Sequence, residues 1–316
     1  MIKLRLSILT FAATTLLSLF AFAAAKIVRP IEQTINLDGV AKIEVRVQGG
    51  FINLNGDQRS DAHVLIEKVF RKATEKDADL IDAEIEQTIE VRDDVLYIEF
   101  KYDSEWNFWS LFRSKPSVQF NATLSVPKSI EVDLHTSGGH IEIEGVEGEV
   151  AARTSGGHMK LVDLGGPVKA HTSGGSITAT NLRSEADLST SGGRIKVDSI
   201  SGNSKLKTSG GSISATGVNG PLDAKTSGGS ITASFPGGID ADTVLKTSGG
   251  GITAKLPQGE QFYLNARTSG GGVNTEFPIT MTGELKRSQT AEGPVNGGGP
   301  LLELRTSGGS INVGYL

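Results

Sequence analysis

Nine residues of this 316-residue chain stand directly before a Thr-Ser-Gly-Gly tetrapeptide, and six of them carry a fixed positive charge. These are Arg153, Lys207, Lys225, Lys246, Arg267 and Arg305; His135, His171 and Ser189 fill the other places. If the tetrapeptides stack in register, the six form a cationic stripe able to meet a polyanion, such as lipopolysaccharide or an acidic glycan. Like charges facing each other on neighbouring strands repel, so such a stripe carries a cost that something must offset. The plainer reading is that the long stems splay into water beside the mixed-charge column Asp133, Lys169, Asp187, Lys205, Asp223 and Glu303.

Other residue sets suggest other chemistry. Trp106 and Trp109, the two tryptophans of the chain, lie in the run Trp-Asn-Phe-Trp-Ser-Leu-Phe. Exposed, this run is an aromatic anchor for a sugar, a membrane surface or a protein partner; buried, it plugs the end of a core. His140 and His158 each follow a Gly-Gly pair one repeat apart. They are the best metal candidates, yet two ligands without a third make a poor zinc or copper site. No metal or other cofactor is therefore expected. Acid–base work on a polysaccharide, or calcium binding, needs clustered carboxylates. Here Lys205 separates Asp187 from Asp223, and Lys160 and Val162 follow Glu142 and Glu144 one repeat on. The repeated serines share one motif and none sits in Gly-x-Ser-x-Gly. No catalytic residue is assigned, and the chain reads as a non-enzyme.

The element that must position these side chains is the repeat itself. Thr-Ser-Gly-Gly begins at Thr136, Thr154, Thr172, Thr190, Thr208, Thr226, Thr247, Thr268 and Thr306, with 18 residues between most neighbours. Two residues before each Thr stands Leu or Ala, and two residues after the second Gly the alternation resumes in a column such as Ile141, Met159, Ile177 and Ile195. Period-two alternation marks half-buried strands. One repeat is thus strand, Gly-Gly corner, strand, looser corner, and neither strand can bury its face alone, so coils must stack. The sequence predicts an all-β parallel β-solenoid over 131–316, with a thin core and corner glycines at positive φ. It also predicts a ladder of stacked threonine hydroxyls, each satisfying the next or a corner amide. Right-handed winding is the default for parallel crossovers, though coils of this length also suit left-handed solenoids.

The flanks differ. Lys3 and Arg5 precede an apolar run and a cluster of alanines ending at Ala25, the layout of a secretory signal peptide over 1–25. Cleavage after Ala23 or Ala25 would leave no transmembrane span and an exported chain, periplasmic, extracellular or on the cell surface. Residues 26–130 are expected to form a small α+β capping segment with a degenerate repeat at Gln48-Gly49-Gly50. A Thr74/Asp77 capping box should start a helix running to about Thr88. An insertion over 278–300 either covers the last coil or forms a binding loop. With no cysteine there is no disulfide framework, and a net charge of −5 argues against a nucleic-acid partner.

The repeated Thr-Ser-Gly-Gly-x-Ile, the segment from Asn296 to Val313 and the leader together resemble the bacterial putative-adhesin family. That family is a domain of unknown function with Gly-Gly β-solenoid repeats, similar to the heads of some auto-transporter adhesins. The resemblance spans about Ala41 to Val313 and implies architecture, with no catalytic motif to carry over. The expected function is a non-catalytic envelope protein binding an anionic polysaccharide, lipopolysaccharide or an envelope protein. The alternatives are a β-helix lyase or hydrolase and a purely structural envelope-stress component.

Overall fold

The computed structural model describes residues 26–102, 116–279 and 289–316. The leader, both tryptophans and the middle of the 278–300 insertion lie outside these residues. The alternating apolar pattern forms strands throughout, which assemble into two 13-stranded sheets. The 18-residue period is the register: Thr154 lies level with Thr136 on one side and Thr172 on the other, and Ala152 with Leu134 and Ala170. The opposite sheet aligns Ile141, Met159, Ile177 and Ile195 in the same way. These inward columns are fully buried and form one continuous core. Each Ile or Leu so buried contributes roughly 1.5–3 kcal/mol. No Phe, Tyr or Trp occurs between Phe120 and Phe235; inward alanines let the two walls approach. Aromatic rings gather at the ends instead, Phe100 on Phe120 at 5.7 Å and Phe277 against Phe262 and Tyr315 at 5.2 and 4.6 Å.

The corner glycines are needed for a different reason from the one expected. None of the Thr-Ser-Gly-Gly glycines has positive φ. The second glycine of each pair instead lies directly on the backbone of the preceding coil. A Cβ on Gly157 would fall inside the carbonyl of Gly139, and one on Gly175 inside the carbonyl of Gly157. Only a residue without a Cβ lets the coils close to strand spacing there. Left-handed backbone occurs nine residues after the Thr, at Gly145 (φ 74°), Asp163 (54°), Asn181 (56°), Ser199 (65°) and Gly217 (66°). This bend turns the next apolar residue, Val146, Leu164, Leu182, Ile200 or Val218, back into the core.

The threonines form the ladder through the corner amides rather than through each other, and add a bond to the glycine carbonyl of the preceding coil. Thr154 Oγ1 donates to the Gly139 carbonyl at 2.8 Å and accepts from its own Gly157 N–H at 3.3 Å. Thr172, Thr190 and Thr208 repeat both bonds. Each hydroxyl, buried in the corner, ties one coil to the next.

Spatial order departs from chain order at both ends. The strands Lys42–Val47 and Ile52–Asp57, which hold the degenerate repeat, lie between the pair Val95–Lys101/Ser117–Pro127 and the first regular coil Glu131–Thr136/Ile141–Glu144. At the other end the last coil, Leu301–Thr306/Ile311–Tyr315, is inserted between Thr243–Lys246/Ile252–Leu256 and Phe262–Thr268/Val273–Thr275. Antiparallel strands then finish the sheets. Asp61–Arg71 and Ile27–Asn36 close one N-terminal edge, Glu86–Arg92 the other, and Thr290–Val295 runs along Phe262–Thr268. The helix starts at the Thr74/Asp77 capping box but covers only Glu75–Ala83. Ile89 belongs to the strand Glu86–Arg92, where pairing with Val95–Lys101 overrides its helical spacing. Arg29 holds the helix down through Asp79 at 2.6 Å and Glu75 and Asp82 at 3.2 Å.

Two substitutions test the corner. Gly175→Ala should cost about 3 kcal/mol or more, whereas Gly174→Ala, whose Cβ meets only ordinary contacts beyond 3.5 Å, should stay within about 1 kcal/mol. Thr172→Val, nearly isosteric, strands a buried carbonyl and should cost about 1–3 kcal/mol. Denaturant unfolding of the three variants ranks these effects, and equal losses for the two glycines would refute the close-packing explanation.

Candidate functional site

Strand alternation turns the residue before each Thr outward while the Thr points into the corner. Pairing then fixes which of these residues are neighbours. Lys207 lies level with Lys225, Lys225 with Lys246, Lys246 with Arg305, and Arg305 with Arg267. Five fixed cations therefore occupy five successive strands. Arg305, the last in sequence, is fourth in space because its coil is inserted before that of Arg267. Ser189 precedes Lys207 and Thr290 follows Arg267, so the run ends on both sides. Arg153 is not part of it: His171 and Ser189 intervene, joined by a 2.9 Å hydrogen bond.

Carboxylates stand beside the run and limit its self-repulsion. Lys225 pairs with Asp223 at 2.7 Å, and Arg267 with Glu292 at 2.7 Å. Glu303, only 14% exposed, bridges Lys246 at 2.9 Å and Arg305 at 2.5 Å. Burial tends to raise the pKa of Glu303, but the hydrogen bond to Lys246 and the charges of Lys246 and Arg305 outweigh it, and the carboxyl lies below its ordinary range. Lys207 makes no ion pair among the described residues. Lys225, Lys246, Arg305 and Arg267, with the corner serines Ser248, Ser307 and Ser269, line a groove of about 480 Å³.

The two histidine candidates have partners within the fold. The His140 ring stacks on Phe51 at 5.1 Å. His158 Nδ1 accepts the Ser176 N–H at 2.9 Å, and Ser176 Oγ does the same for Arg194 N–H at 3.2 Å, so this column is a side-chain-to-backbone ladder. Among the described residues no three His, Asp or Glu side chains gather as a metal cluster would require. Lys205 does separate Asp187 from Asp223, and Lys160 pairs with Glu142. Trp106 and Trp109 lie outside the described residues. Sequence reasoning missed the corner serines and Glu292. The serines could have been found, since the residue after each Thr shares a face with the residue before it; Glu292 could not, because only the antiparallel return of Thr290–Val295 brings it to Arg267.

The architecture defines an all-β parallel solenoid closed by folded ends. The chain belongs to the Toastrack DUF4097 family, whose profile matches residues 40–314. It is accordingly a domain of unknown function, as the repeat's resemblance implied. Similar solved structures include a "putative lipid binding protein" from Parabacteroides distasonis, with 15% identity and a TM-score of 0.43 over 92% of this chain and 96% of that one. A "putative adhesin" from the same organism has 14% identity and a TM-score of 0.41 over 93% and 98%. A "putative cell adhesion protein" from Clostridium sporogenes has 13% identity and a TM-score of 0.29 over 91% and 100%. No curated protein matches the chain.

Because the Glu303 pKa is depressed in the fold, its pairs stabilise the protein above the ordinary carboxylate pKa, and that contribution is lost as pH falls through the depressed value. Glu303→Gln should therefore cost on the order of 1 kcal/mol at pH 7 and converge with the unsubstituted protein in acid. Urea melts from pH 7 to pH 3 check this; a pH-independent difference would contradict it.

Proposed function

We propose that this chain is an exported, non-catalytic envelope protein of adhesin type that holds an anionic glycan along the cation row from Lys207 to Arg267 and in the groove that Lys225, Lys246, Arg305 and Arg267 line. The observation that carries the reading is the uninterrupted row of five cations on five successive strands. Neighbouring like charges are unfavourable in a sheet, and the half-buried Glu303 offsets only part of that cost. A bound polyanion would offset the rest. The signal-like leader supports export, and the first strand begins at Ile27, just past the alanine cluster.

The test uses the mature chain and its Lys207/Lys225/Lys246→Gln variant against immobilised acidic polysaccharide and lipopolysaccharide. The unsubstituted protein should bind with affinity that falls as salt rises, and the variant should bind at least about tenfold more weakly. Salt-insensitive binding unaffected by the variant, or no binding, would sink the reading. Depolymerisation of the polysaccharide by purified protein would replace it with the enzyme alternative.

A further inference from the structure

The cations do not face the groove alone. The residue after each Thr emerges on the same side as the residue before it, so each of the five strands presents a cation and a serine. From one end to the other these ranks are Lys207/Ser209, Lys225/Ser227, Lys246/Ser248, Arg305/Ser307 and Arg267/Ser269. All five serines are exposed, and among the described residues none of their hydroxyls is engaged in a hydrogen bond. On the far side of the cations stand Asp223, Glu303 and Glu292, which repel an anion from that flank. The space for a negative group is therefore between the cation column and the serine column. That space runs across the strands, along the solenoid axis, and repeats at strand spacing, about 4.8 Å.

Building on the anionic-glycan reading, we infer that this row, with the groove over its last four cations, is a five-rank ladder for a single linear acidic oligosaccharide laid along the solenoid axis. Its negative groups would seat between cation and serine, and its bound length would be fixed by the number of ranks. Four strand steps span about 19 Å, and the ladder stops at Ser189 on one side and Thr290 on the other. One rank, exposed and partly neutralised by its carboxylate, binds weakly; affinity must accumulate from ranks engaged together by one chain. The fitting ligand is thus a glycan charged on successive sugars, rather than an isolated phosphate or a compact phosphorylated headgroup.

Calorimetric titration of the full mature chain with oligogalacturonates of increasing, defined length tests this. Affinity should climb several-fold per added sugar and level off once the oligomer spans about 19 Å. Lys207→Gln, at one end of the ladder, should move the plateau to a shorter oligomer, and Arg153→Gln, three strands outside it, should leave the curve unchanged. Thermal melts of both variants, each altering an exposed side chain, verify that the fold is retained. Length-independent affinity, a rise continuing far beyond the ladder, or equal effects of the two substitutions would overturn the inference and leave the broader glycan-binding reading standing. So would binding of a short bisphosphorylated lipid headgroup as tight as that of the long oligomers. Failure of every acidic oligosaccharide, polysaccharide and lipopolysaccharide to bind would remove both.

Discussion

In every regular coil the second corner glycine lies on the carbonyl of the equivalent glycine one coil earlier, close enough that a single methyl group would overlap it. The threonine hydroxyl of the same corner reaches that carbonyl and closes the contact with a buried hydrogen bond. This backbone-on-backbone contact sets the register of the whole molecule. Once two successive corners are seated, every inward side chain is level with its counterpart and the apolar columns merge. Every outward side chain is level too, which is how residues 18 apart in sequence become neighbours on one face. A slip of one residue would turn the Ile and Leu columns to solvent, so corner and core enforce the same alignment.

The two ends use one device. Each terminal module folds through its own pairings and docks through the coil nearest the chain terminus, Lys42–Asp57 at one end and Leu301–Tyr315 at the other. The outermost coils are therefore internal in sequence, and antiparallel strands cover most of the edges that a plain solenoid would leave open. At the C-terminal end this arrangement also composes the groove. Lys207, Lys225 and Lys246 come from regular coils, whereas Arg305 and Arg267 come from the terminal module in reversed order.

The electrostatics of the groove follow from that assembly. Cations at strand spacing repel one another, and the fold tolerates them through carboxylates on one flank only. Glu303, half-buried, holds two cations at once, and Glu292 reaches Arg267 from an antiparallel strand. Among the described residues the opposite flank carries the serine hydroxyls and, at the Ser269 end, the Gln289 side chain. Charge of one sign is thus held in place and left accessible from a single direction.

Much of this was legible in the residues. Thr-Ser-Gly-Gly at a period of 18, with alternating apolar neighbours, determined the parallel solenoid, its thin core and its outward columns, because local alternation and exact repetition leave stacked coils as the way to bury those faces. The capping box determined where the helix begins. The φ of the corner glycines was misjudged because the need for glycine there arises between coils, and no single turn shows it. The column that does adopt positive φ, Gly145, Asp163, Asn181, Ser199 and Gly217, had a readable signature in its residue types. Tertiary structure alone decided where the helix gives way to a strand, that the last repeat sits inside the end of the stack, and that Arg305 separates Lys246 from Arg267. The reason is the same in each case: these outcomes depend on which edge a distant strand finds unpaired, and sequence spacing carries no record of that.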